Sequence, residues 1–168
     1  RAILSNTDYP AALLNGVMLR IRADRKITRG RAAILKAYYL KNPHTECPKE
    51  VLTVSLNETS SIVPYNLGRL FSVLEAIQQA ANPGINTTIK DKYFNSASAT
   101  PATIFPILNN LAQKHLKKLD TGLRIHYDRQ LGQIKELLGE TLPGRLSLPE
   151  QASFDLGYYH QTQKRYSK

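Results

Sequence analysis

The sequence predicts an all-α protein, a bundle of six or seven helices with one long extended connector. Three observations predict it. Apolar residues recur at i, i+3, i+4 and i+7 in nearly every segment, which is the spacing of a helix with one buried face. Helix-start signals stand ahead of those segments: Pro64, Thr100-Pro101, and the capping-box pattern Ser147-Leu-Pro-Glu150. Only Leu52, Val54 and Leu56 alternate with a period of two, and one strand does not make a sheet. With 168 residues, 42% of them hydrophobic, the chain has the length and apolar content of one domain, 1–168. Its only soft seam is 42–63.

Leu14, Val17, Met18 and Ile21 form the first apolar stripe, with Pro10 near the helix start. Thr28 can cap a second helix carrying Ile34, Leu35, Tyr38 and Tyr39. That helix ends by Asn42-Pro43, because a residue before proline avoids the helical region. After the connector, Leu67, Leu70, Phe71, Leu74 and Ile77 keep one register until Asn82-Pro83-Gly84 stops them. A short helix is expected over about 86–95. Beyond Pro101, Ile104, Ile107, Leu108, Leu111 and His115 are expected to share a buried face. A helix of about 122–138 aligns Tyr127, Leu131, Ile134 and Leu138, and a last one of about 149–165 follows the capping box.

Charge is the strongest functional signal. There are 23 Lys and Arg against 13 Asp and Glu, a formal net charge of +10. A domain so far from neutrality repels itself, and an anionic partner compensates: nucleic acid, an acidic membrane surface, or an acidic protein. The charge is localised, with +7 on residues 1–49, −2 on 50–81 and +5 on 82–168. Localised charge indicates a binding face more than general solubility. No run approaches the roughly 18 apolar residues of a membrane span. One cysteine, Cys47, excludes an internal disulfide and fits a reducing cytoplasm. The chain opens on Arg1 with no signal-peptide pattern, and is expected to be trimmed or a fragment of something longer.

Six cations fall within twelve residues: Arg20, Arg22, Arg25, Lys26, Arg29 and Arg31. They cross the end of the first helix, the turn and the start of the second. Arg suits phosphate because its planar fork donates two parallel hydrogen bonds. Cations near a helix C-terminus are favoured in any case, but six exceed what capping needs. Lys114, Lys117 and Lys118 share one side of their helix, and Arg124 and Arg129 could extend that side into a groove. Such a groove follows a backbone without reading sequence. Nine Tyr and no Trp offer stacking surfaces, although aromatics at helical spacing are more often core.

Enzyme signals are poor, and the chain is expected not to be an enzyme. His44 and Cys47 have a ligand-like separation with no second pair nearby to complete a zinc site. Gly139 and Gly144 precede Arg145-Leu146, not the Lys-Ser/Thr of a phosphate-binding loop. Carboxylates are too sparse and scattered for a two-metal nuclease centre. Tyr158-Tyr159-His160 could suggest a tyrosine nucleophile, but the expected His cluster or Arg triad is not evident. No cofactor or metal is expected.

Several uncharged motifs are more distinctive. They are Asn86-Thr-Thr-Ile-Lys-Asp-Lys-Tyr-Phe-Asn-Ser-Ala-Ser-Ala-Thr-Pro-Ala-Thr-Ile-Phe-Pro106, Leu67-Gly-Arg-Leu-Phe-Ser-Val-Leu-Glu75 and Phe154-Asp-Leu-Gly-Tyr-Tyr-His-Gln-Thr-Gln163. With Leu52-Thr-Val-Ser-Leu56 and Ile21-Arg-Ala-Asp24 they occur along the chain in the family's order, and over essentially its whole length the chain resembles the C-terminal region of the large subunit of type I-C CRISPR surveillance complexes (Cascade). That segment is also made separately, as the small subunit. The resemblance implies a cytoplasmic, non-catalytic helical module of antiviral defence. It would hold unwound DNA, above all the displaced non-target strand, while guide RNA pairs with the other strand and reads the sequence. Its implied partners are single-stranded DNA, the guide-RNA-bound backbone and large subunits, and neighbouring copies of itself. Two other readings stay open: an assembly module bridging backbone subunits through its basic face, and a stand-alone helical DNA-binding protein. The Tyr93–Thr100 stretch reads as a turn needed by the fold more than as a contact surface.

Overall fold

A computed structural model describes residues 55–166. These form five helices and, among the described residues, no strand. They are α1 (Val63–Ala81), α2 (Ile89–Ala99), α3 (Pro101–Leu116), α4 (Thr121–Glu136) and α5 (Leu148–Tyr166). The all-α class holds. Each of the five helices expected after the connector is present. The two expected before it, and the Leu52–Val54 part of the extended segment, lie outside the described residues.

Boundaries follow local chemistry. Pro64 sits in the first turn of α1, where its missing N–H leaves no bond unmade. The second helix starts later and runs longer than its apolar spacing suggests. Asp91 Oδ2 accepts the Thr88 backbone N–H at 2.7 Å, which fixes the start of α2. Only Thr100-Pro101 stops it, and α3 begins at once. Asp120 caps α4 by accepting the Leu123 N–H at 2.9 Å. Ser147 and Glu150 meet as their spacing predicts: Glu150 Oε2 accepts the Ser147 N–H at 2.6 Å.

The core is built on α1 and α5. Every residue of α1 from Tyr65 to Gln78 is buried, so no polar face remains on that stretch. Four of its polar side chains pair with α5, while Asn66 bonds the Ser60 carbonyl and Gln78 accepts the Ile89 N–H. Tyr65 Oη and His160 Nδ1 are 2.9 Å apart, Ser72 and Thr162 hydroxyls 2.8 Å. Arg69 Nε donates to Gln161, and Tyr158 Oη donates to Glu75 Oε2 at 2.6 Å. Such bonds offset the cost of burying these polar groups. Burial, then the Glu75 carboxylate, raises the Tyr158 pKa and keeps its hydroxyl a proton donor.

Two glycines let these helices approach. A Cβ on Gly68 would stand 1.9 Å from the Phe154 carbonyl oxygen, and one on Gly157 would stand 1.9 Å from that of Tyr65. Both distances are inside contact between backbones, so neither position admits a side chain without moving a helix. The Leu67–Glu75 and Phe154–Gln163 motifs are therefore the two halves of one helix crossing.

All four phenylalanines of the chain gather beside this crossing. Phe94 meets Phe71 and Phe154 edge-on, with centroids 5.4 and 5.5 Å apart, and Phe105 meets Phe154 at 6.5 Å. Each such pair contributes about 0.5–1.5 kcal/mol beyond area burial. Phe94, Ala97 and Ser98 are buried, so the Tyr93–Thr100 stretch carries the α2–α3 corner into the core.

One expected face is rotated. On α3 the buried positions are Pro101, Phe105, Leu108, Ala112 and Leu116. Ile107 is exposed, and Ile104, Leu111 and His115 are only partly covered. Phe105 takes the inward position because it packs on Phe154, and the helix turns with it.

Candidate nucleic-acid interface

The Arg20, Arg22, Arg25, Lys26, Arg29 and Arg31 cluster lies outside the described residues. Lys114, Lys117, Lys118 and Arg124 are described, and all four are exposed. Lys114 is in the last turn of α3 and Lys117 is its C-cap. Cations are favoured there because the final carbonyls of a helix carry partial negative charge. Four residues later α4 begins, with Arg124 in its first turns and Arg129 further along, also exposed. The turn thus gathers the lysines and Arg124 around one corner between helices. Residues 114–135 hold six Lys and Arg against Asp120 and Asp128, and Asp120 is engaged in the cap.

Lys118 also serves the fold. Its Nζ lies 3.4 Å from Asn82 Oδ1, at the end of α1. Asn82 Nδ2 in turn lies 3.0 Å from His115 Nδ1 and donates to the Gln78 carbonyl. Partial burial, then the Lys118 charge, lowers the His115 pKa below its ordinary 6.5. A neutral imidazole can accept the Asn82 N–H; a protonated one cannot.

Next to this corner the structure has a groove of about 350 Å³ that charge counting along the sequence missed. Its floor is Ser72, Val73 and Ala76 of α1, which are buried. One wall is Leu123, His126, Tyr127 and Gln130 of α4; the other is Gln161, Lys164 and Arg165 of α5. The His126 and Tyr127 rings meet edge-on with centroids 5.4 Å apart. Burial raises the Tyr127 pKa, against the opposing pull of Arg165. Arg165 Nη2 donates to Gln79 at 2.8 Å, and its guanidinium lies 4.9 Å from the Tyr166 ring centroid. Lys164 pairs with Glu58, both half-exposed. The hydrogen bond from Lys164 is the main cause that lowers the Glu58 pKa. An exposed ion pair is worth little, so an incoming anion can compete for this lysine. The clue in the sequence was the adjacent Lys164-Arg165-Tyr166, a cation–aromatic cluster in the last turn of a helix.

The described tyrosines divide, and only two of the six are core. Tyr65 and Tyr158 are core, Tyr93, Tyr127 and Tyr159 are partly covered, and Tyr166 is exposed. Tyr38 and Tyr39 lie outside the described residues. Among the described residues no three His, Cys, Asp or Glu side chains converge as metal ligands. None of the described helices is long and apolar enough to cross a membrane.

A search of curated proteins gives no match to the chain. The profile of the family described as CRISPR-associated protein (Cas_Csd1) matches residues 1–166, nearly the full sequence. That order-preserving match covers the α1–α5 crossing, the α2–α3 corner and the basic N-terminal stretch together, and the chain belongs to the Cas_Csd1 family of CRISPR-associated proteins.

Proposed function

We propose that the chain is a non-catalytic, small-subunit-like module of a type I-C CRISPR surveillance complex. It holds displaced or target DNA by its backbone, without reading sequence. The observation that carries this reading is the exposed basic corner of Lys114, Lys117, Lys118 and Arg124, in a chain of net charge +10 that belongs to a CRISPR-associated family. Phosphates are regularly spaced and uniform in charge, so separate cations along a corner can follow a strand of any sequence. Sequence recognition falls to guide-RNA pairing, which leaves the protein a positioning task. The Arg20–Arg31 cluster is the second element of the proposed surface.

The exposed apolar residues Ile107, Leu123 and Ile125 favour a second reading, an assembly module that meets other subunits through this region. One reconstitution separates the two. The complex is assembled with the chain carrying Lys114, Lys117, Lys118 and Arg124 all changed to Gln. The DNA-holding reading predicts normal assembly and loss of displaced-strand retention. Failure to assemble supports the second reading. Normal assembly with normal retention contradicts the assignment of this corner. Strand cleavage by the purified chain would contradict the non-catalytic assignment.

A further inference from the structure

We propose that the groove between α1, α4 and α5 is a pocket for one unstacked nucleobase, whose adjoining phosphate meets Lys164 and Arg165. The inference rests on the DNA-holding reading and deepens it. Backbone contacts alone need only exposed cations. This groove has more: an apolar floor, an aromatic wall, and cations on the opposite side. Its volume lies at the lower end of the roughly 300–1,000 Å³ typical of small-ligand clefts, too small for a duplex or a folded partner.

The base and the phosphate of a nucleotide each find a matching group. Ser72, Val73 and Ala76 are short side chains at the floor. The Ser72 hydroxyl is already bonded to Thr162, so the floor makes little polar demand on a ligand. Tyr127 supplies an aromatic ring to the wall, edge-on to that of His126. Bases stack on such rings with little regard to identity. At the edge of a base Gln130 Oε1 can accept and Gln161 Nε2 can donate; Gln161 Oε1 already accepts from Arg69, and Gln130 Nε2 lies 3.2 Å from His126 Nε2. Lys164 and Arg165 place positive charge across the groove from Tyr127. An acidic protein segment would use the cations but leave the aromatic wall without a planar partner.

The test compares two strands on the full 168-residue chain: a thymine oligonucleotide, and an abasic strand of the same length and charge. Fluorescence anisotropy gives both affinities. The pocket predicts that the base-bearing strand binds about tenfold tighter or more, the scale of one stacked base. Tyr127→Phe keeps this ratio; Tyr127→Leu brings it close to one while affinity for the abasic strand stays at the wild-type level. Equal affinities in the wild-type chain overturn the pocket and leave backbone holding intact. Binding of neither strand overturns both. A ratio that survives Tyr127→Leu, with the melting transition unchanged, also overturns it. Repeating the wild-type comparison with ribose strands identifies whether DNA or RNA supplies the base, according to which shows the larger ratio.

Discussion

Single residues at this protein's seams have two partners at once, and their chemistry shows it. Asn82 ends α1 and links it to His115 and Lys118 at the end of α3. That geometry requires a neutral imidazole. We expect His115 to titrate below 6.5 by NMR, from burial first and Lys118 second. Lys118→Gln should raise its pKa without restoring it fully, since burial remains. The sign for stability follows from proton binding. Below about pH 6.5 the unfolded chain takes up the His115 proton before the folded chain does. Stability from this group is therefore present above that pH and lost as the pH falls through the lowered folded value. A His115 pKa at or above 6.5 would contradict this lowering by burial and Lys118. None of this was legible in the sequence, where His115 counted as one more member of an apolar face. The pairing across 33 residues depends on where two helices end.

At the scale of elements, caps were the most legible feature. Pro64, Pro101 and the Ser147–Glu150 pair each mark a helix start by local chemistry alone, and each lies where the structure begins a helix. Faces were legible only where one apolar stripe dominates. On α1 the expected Leu67, Leu70, Phe71, Leu74 and Ile77 are all buried. On α3 two stripes compete, and spacing cannot rank them. Phe105 wins because Phe154 is there to receive it, and that partner is 49 residues away in sequence. The α4 cap makes a prediction with two opposite signs. Asp120→Ala removes the acceptor for the Leu123 N–H and should cost about 0.5–2 kcal/mol of stability, read by thermal or denaturant melting. It also removes one of the two carboxylates among residues 114–135, so affinity for single-stranded DNA should rise even as stability falls. If affinity fell along with stability, the corner would not be the binding face.

For the whole molecule, the net charge of +10 and the all-α class were legible from residue counts and periodicity. The groove was not. It takes Val73, Tyr127 and Arg165 from three helices, and only the helix arrangement brings an aromatic wall opposite two cations. The motifs that identified the family turn out to encode the fold: Gly68 and Gly157 at the crossing, Phe94 and Phe105 in the core. The surface that would meet DNA is written mostly in ordinary lysines and arginines, which charge counting finds but cannot arrange. On the function proposed above, these cations hold a nucleic-acid backbone without regard to sequence. The decisive experiment is the salt dependence of single-stranded DNA affinity. It sets the wild-type chain beside the Lys114→Gln, Lys117→Gln, Lys118→Gln, Arg124→Gln variant. Each phosphate no longer neutralised should flatten the slope of log K against log salt by about 0.7, so up to four should flatten it by at most about 3, equally for unrelated sequences. An unchanged slope, or a change confined to one sequence, would mean that these cations do not hold the strand.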